Sequence, residues 1–104
     1  MNSPVRLIIP ARQEHVDAVR FYRERSRQAA RDFEREYKFV IAFISKQPLL
    51  GTPYHHGTRR KLFPSFPYAM IYTIELEEVV VQAIVHQHQE PEYWADRLKP
   101  MPPG

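Results

Sequence analysis

Between Ala11 and about Glu24, the residues Ala11, His15, Ala18, Val19 and Tyr22 recur at steps of three and four, while Arg12, Glu14, Asp17, Arg20 and Arg23 fall largely elsewhere. That spacing predicts an amphipathic helix. A second helix follows. Ser26 is placed to cap it, and Ala30, Phe33, Tyr37, Val40, Ile41 and Ile44 form a continuous apolar stripe along it. It must stop before Pro48, because proline disfavours helical geometry in the residue ahead of it. Glu34 precedes Lys38 by four residues, the orientation in which an ion pair supports an exposed helix. Ahead of both helices, the mostly β-branched stretch Val5 to Ile9 reads as a strand, halted by Pro10, which suits the first turn of a helix.

Beyond Leu49 to Thr58, which reads as a loop, the period changes. Arg59 to Phe63, Tyr68 to Ile74 and Val79 to His88 are rich in β-branched and aromatic residues, with turns around Pro64 to Pro67 and Glu75 to Glu78. They predict a meander of three antiparallel strands. In the last strand strict alternation sets Val79, Val81, Ala83 and Val85 on one face, and Val80, Gln82, Ile84, His86 and His88 on the other. The expected fold class is α+β: an N-terminal strand, a helical hairpin and a three-stranded antiparallel meander, with both helices on one face of the sheet. The reverse face is left partly open as a polar docking surface. A short helix is expected within Pro91 to Lys99, so residues 1–99 form one domain and residues 100–104 a frayed tail.

Composition narrows the class. A chain of 104 residues suits one core, and with 43% hydrophobic and 26% charged residues it is globular in type. Without cysteine it has no disulfide, thiolate metal site or cysteine nucleophile. No apolar run approaches the roughly 20 residues of a membrane span, and Arg6 interrupts the N-terminal stretch, so a cytoplasmic location without membrane contact is expected. Net charge is +3. Its distribution is more telling, since Pro48 to Thr73 holds no acidic residue but does hold Arg59, Arg60 and Lys61, just after His55 and His56. An anionic partner is the natural inference.

The order strand, helical hairpin, meander, taken with several local strings, resembles the RelE/ParE toxin superfamily, also called plasmid stabilisation proteins. The strings are Phe21-Tyr22, Pro48-Leu49-Leu50-Gly51, Arg59-Arg60, Phe66-Pro67-Tyr68 with Ile71-Tyr72, and His86 followed by Pro91, Tyr93, Trp94 and Arg97. The resemblance spans roughly Val5 to Arg97. It implies the toxin component of a type II toxin–antitoxin system, neutralised by a cognate antitoxin in a toxin–antitoxin hetero-oligomer, and it implies no cofactor. RelE-like members cut messenger RNA in the ribosome, whereas ParE-like members inhibit DNA gyrase. Many relatives carry two arginines where this chain has His88 and Gln89, and RelE-like cleavage relies on basic side chains there. The ParE-like, non-nucleolytic reading therefore leads. A ribosome-dependent mRNA endonuclease is the alternative, and an inactive relative that only binds a partner is the third.

The residues expected to bind the target are Arg59, Arg60, Lys61, His86, His88, Tyr93, Trp94 and Arg97. If the chain is a ribonuclease, Arg60, Lys61, His86, His88 and Tyr93 are the catalytic candidates, because attack by a ribose 2′-hydroxyl needs a proton acceptor, a proton donor and cations at the phosphate. Arg59, Arg60 and Lys61 alternate along a strand, so only one or two can share a surface. His86 and His88 have the spacing of an acid–base pair on one face, but no carboxylate stands ready to complete a metal site, and none is expected. Trp94 suits packing, and Tyr93 suits either packing or a phosphate. Phe21, Phe39 and Phe43 lie off the main stripes and imply either a wide core or a second interaction surface.

Overall fold

A computed structural model describes residues 2–89 and 91–98. Its elements are β1 (Val5–Leu7), α1 (Ile9–Arg23), α2 (Arg27–Lys46), β2 (Thr52–Pro53), β3 (Arg59–Leu62), β4 (Tyr68–Glu75) and β5 (Glu78–His86). Single 3-10 turns occur at Pro48–Leu50, His55–Gly57 and Ala95–Arg97. The strands make one sheet in the order β1-β5-β4-β3-β2, with β1 parallel to β5 and every other pair antiparallel. The expected α+β class is present, and the sheet gains β2 where the sequence reads as loop. Two residues are too few for any periodicity to reveal, and Thr52 and Pro53 join the sheet only by lying opposite Arg60 and Arg59. The expected helix after Pro91 is reduced to the turn Ala95–Arg97, while the tail at 100–104 lies outside the described residues.

Helix boundaries follow local chemistry. The first helix starts at Ile9, shortening the expected strand, because Pro10 in the first turn gives up no backbone hydrogen bond. Ser26 caps α2 as expected, its Oγ accepting from the Ala29 N–H at 3.2 Å, and the helix ends at Lys46 ahead of Pro48. Both apolar stripes pack against the sheet. Ala11, Ala18 and Val19 of α1 and Phe33, Val40 and Ile44 of α2 are buried with Met70, Tyr72, Val79, Val81 and Ile84. Phe33, fully buried, is the hub, with the rings of Tyr22, Phe63, Phe66 and Tyr68 centred 5.2–5.4 Å away. Stacked and edge-on arrangements of this kind favour the ring quadrupoles in addition to the area they bury.

Polar ties finish this side. Glu36 accepts from the Ser65 N–H at 2.9 Å, the Phe66 N–H at 3.1 Å and the Ser65 hydroxyl, fastening α2 to the turn before β4. Although burial pushes the Glu36 carboxyl up, these donors hold it below the ordinary carboxylate value. The expected Glu34–Lys38 pair gives way to a hydrogen bond between Glu34 and His15, whose ring stacks on Tyr37 at 3.9 Å and points its Nε2 toward the carboxylate. Gly51 has a steric reason to be glycine, since a Cβ there would stand 2.0 Å from the Tyr72 hydroxyl, which itself donates to the Pro48 carbonyl at 2.7 Å. Among the described residues no helix is long and apolar enough to cross a membrane.

Candidate macromolecule-binding groove

What reaches the far side of the sheet is decided by a bulge in β5. Tyr72 pairs with Val81 but Ile71 pairs with Ala83, so Gln82 is an extra residue. Its side chain donates to Thr73, whose strand partner is Val80, while the adjacent Ala83 packs with Ile71 and Trp94. Consecutive residues therefore share one face, as a bulge allows. The expected alternation fails beyond this point: Ile84 joins the helix-side core, and Ala83 and Val85 turn away from it.

The reverse face is consequently not an open cationic sheet, and this corrects the expectation. Arg59 and Lys61 pair with Tyr72 and Met70, two members of the helix-side core. Arg59 donates to the Leu49 carbonyl at 3.0 Å and the Gly51 carbonyl at 2.8 Å, fixing the loop after α2. The Lys61 ammonium lies 4.1 Å from the centre of the Phe43 ring. Only Arg60 of the three reaches the reverse side, where its guanidinium lies 4.7 Å from the Tyr54 ring centre. Trp94, 2% exposed, packs over Ile71 and Ala83 with Tyr54, Tyr93 and Leu98 around it. Its indole seals the middle of the face instead of presenting itself to a target.

Glu14 on α1 holds that cover in place. Its carboxylate accepts from two Arg97 nitrogens at 2.9 and 3.0 Å, from the Ile84 N–H at 3.0 Å and from the Tyr93 hydroxyl. Arg97 also donates to the Gln82 carbonyl at 3.1 Å. Beyond the end of β1 the edge of β5 is thus closed by a carboxylate where a strand would otherwise pair. Burial and then the Glu14 carboxylate push the Tyr93 hydroxyl well above the ordinary phenol value, so it stays protonated and committed. The Glu14 pair keeps the Arg97 guanidinium charged against the opposing effect of burial. A second clasp joins His56 and Glu92, whose Nε2 and Oε1 are 2.6 Å apart. Both residues adopt left-handed backbone, φ 59° and 64°, a conformation that non-glycine residues keep only where their surroundings impose it.

Between this cover and the turn before β4 lies a groove of about 500 Å³, with Ala69 and Val85 on its floor. Arg60, Leu62, His86, Tyr93 and Trp94 line it, and Leu62 is 58% exposed. The His86 Nδ1 accepts from the His88 N–H at 3.0 Å, and its ring meets Tyr68 edge-on at 5.0 Å. Burial, and then the neighbouring His88, hold the His86 imidazole below its ordinary value, so it is neutral at pH 7. His88 is exposed in the turn after β5, which ends at His86 and not at His88; the two rings still lie 5.1 Å apart.

Of the eight expected target-binding residues, the groove gathers Arg60, Tyr93 and Trp94, with His86 only at its rim: the bulge turns His86, like Ile84, to the helix side against Tyr68, which corrects the expectation that it faces the far side. Arg59, Lys61 and Arg97 are drawn into the fold, and His88 stands outside it. Phe43 belongs to a wide core stripe, whereas Phe21 and Phe39 are 44% and 52% exposed. Sequence reasoning missed Glu14, Tyr54 and Glu92, and it set His56 in a positive surface and not opposite Glu92. Glu14 gave no local signal because its partner Arg97 lies 83 positions along the chain. Among the described residues no three His, Asp or Glu side chains are grouped to hold a metal ion.

These features define a two-helix layer on one mixed sheet, with a C-terminal segment strapped across the sheet's far side. A solved chain of the chromosomal ParDE TA system from P. aeruginosa has the same fold, with a TM-score of 0.69 and 12% sequence identity over 81% of this chain and 95% of that one. No protein-family model and no curated protein matches the chain.

Proposed function

We propose that this chain is the toxin half of a toxin–antitoxin pair, and that it arrests growth by gripping a macromolecular target in the far-side groove without cutting it. DNA gyrase is the target on the ParE-like reading, and a cognate antitoxin neutralises the toxin by covering the same groove. The fold shared with a chain of a ParDE system supports the class. The observation that carries the non-cutting reading is that Arg60 is the groove's one lysine or arginine among the described residues. Hydrolysis or 2′-hydroxyl attack at a phosphodiester calls for several cations together with a free acid and a free base. Here Tyr93 is tied to Glu14, and Arg59, Lys61 and Arg97 are spent on the fold.

Purified, antitoxin-free protein is expected to inhibit gyrase supercoiling at stoichiometric concentration; no inhibition there contradicts the choice of target. One observation favours the RelE-like alternative: a histidine, His86, stands at the rim of the groove, where a general base is needed. Translating ribosomes supplied with the protein separate the two readings. Message cleaved in their presence, and spared by His86→Ala, would establish the endonuclease instead.

A further inference from the structure

The densest positive surface is not on the sheet. A second groove, of about 560 Å³, runs along the outside of the helical hairpin. Arg23 of α1 and Arg27, Arg31, Arg35 and Lys38 of α2 line it, all exposed, above a floor of Val19 and Ala30. Its one acid, Glu34, is taken by His15. Among the described residues, Arg23, Arg27, Arg31 and Lys38 form no salt bridge; Arg35 alone has one, with Asp32 at 3.1 Å. The two grooves share no lining residue.

Folding does not call for this arrangement. Arg27, Arg31 and Arg35 stand at successive four-residue steps, where like charges repel and weaken a helix. The first turn of α2 contains Arg27 and no acid, the reverse of what the helix dipole favours. An arrangement that weakens the helix and has so few internal partners is suited to an external anion.

The chemistry of the groove chooses among anions. An acidic helix docking there would need apolar anchors, yet Val19 and Ala30 are already 9% and 6% exposed and have little area left to bury. Single strands bind by stacking on aromatic rings, and no aromatic residue lines this groove. Nor does it hold a serine, threonine, asparagine or glutamine to read a 2′-hydroxyl. Four arginines and a lysine are suited to phosphate oxygens. On α2 the arginines stand roughly 6 Å apart, from a rise of about 1.5 Å per residue. From Arg27 to Arg35 they run roughly 12 Å, a length over which the duplex backbone presents several phosphates.

We propose that the outer groove of the helical hairpin is a sequence-independent site for the phosphate backbone of duplex DNA, separate from the far-side groove. The test is fluorescence anisotropy of the full chain with a labelled mixed-sequence DNA duplex over a salt series. About five phosphate contacts give a log–log salt slope near −4.5, and the triple variant Arg23→Ala, Arg27→Ala, Arg31→Ala makes it shallower by about 2 to 3. The Arg→Lys triple variant retains the slope, and Arg60→Ala leaves it unchanged. Circular dichroism melting of each variant separates loss of binding from loss of fold. Unchanged affinity and slope in a folded alanine triple variant overturn the proposal, as does loss of the slope with Arg60→Ala. Groove-dependent preference for duplex RNA or for a polyglutamate peptide over duplex DNA overturns it equally.

Discussion

The two faces of the sheet are closed by different physics. On the helix side, aromatic and aliphatic side chains from α1, α2 and three strands interlock around Phe33, and polar ties such as Glu36 sit at the margin. On the far side the apolar cluster is small, built on Ile71, Ala83 and Trp94, and the cover stays down because Arg97 and Tyr93 are bound to Glu14. Hydrophobic burial is non-directional and adds up over many contacts, whereas the strap concentrates its polar ties on two carboxylates, Glu14 and Glu92, around the small cluster at Trp94. The first face rests on a broad core; the second rests on a few directional contacts with a groove beside them.

Substitution on each face separates the two modes. Phe33→Ala removes the hub of the helix-side core and is expected to cost about 3–5 kcal/mol. For a domain this size that lowers the melting temperature by well over 10 °C, roughly, and protection from hydrogen exchange falls everywhere at once. Glu14→Gln leaves Arg97 charged and uncompensated, with an expected cost of about 2–4 kcal/mol. Exchange should quicken first around Ile84 and the 91–98 segment, while α2 stays protected. Uniform loss of protection in Glu14→Gln would abolish the distinction between the faces. Gly51→Ala drives a methyl into the Tyr72 hydroxyl and should cost about 1–3 kcal/mol, read as a shift in denaturation midpoint at constant slope.

The smallest effect is one of pH. Because the Glu36 carboxyl is held below its ordinary value of 4.5, the unfolded chain binds the proton more readily. The stabilising contribution is present above that ordinary value and is lost as pH falls through the lower, folded one. Melting temperatures of the native chain and Glu36→Gln should therefore converge on acidification below 4.5. A gap that stays constant across that range would show that the Ser65–Phe66 clamp contributes nothing through its charge.

The same contrast explains what could be read from residues alone. The α2 stripe and the Ser26 cap are repeated or adjacent signals, and the second helix follows from them. Strict alternation in β5 misplaced Ala83, Ile84, Val85 and His86 because one extra residue, Gln82, reverses every face after it. The basic run at 59–61 was visible, but its division was settled by partners elsewhere: two loop carbonyls for Arg59 and the Phe43 ring for Lys61. Glu14 looked like one more charge on the solvent side of a helix. Its role rests on a contact between the two ends of the chain, and no local pattern encodes that.

We propose the far-side groove around Arg60 as the working surface. Inducing the chain in a bacterial host beside Arg60→Glu puts this to the test, with melting of the purified proteins as the check on folding. Growth arrest by the native chain and none by the folded Arg60→Glu variant is the expected outcome. Arrest of equal strength by both would contradict it.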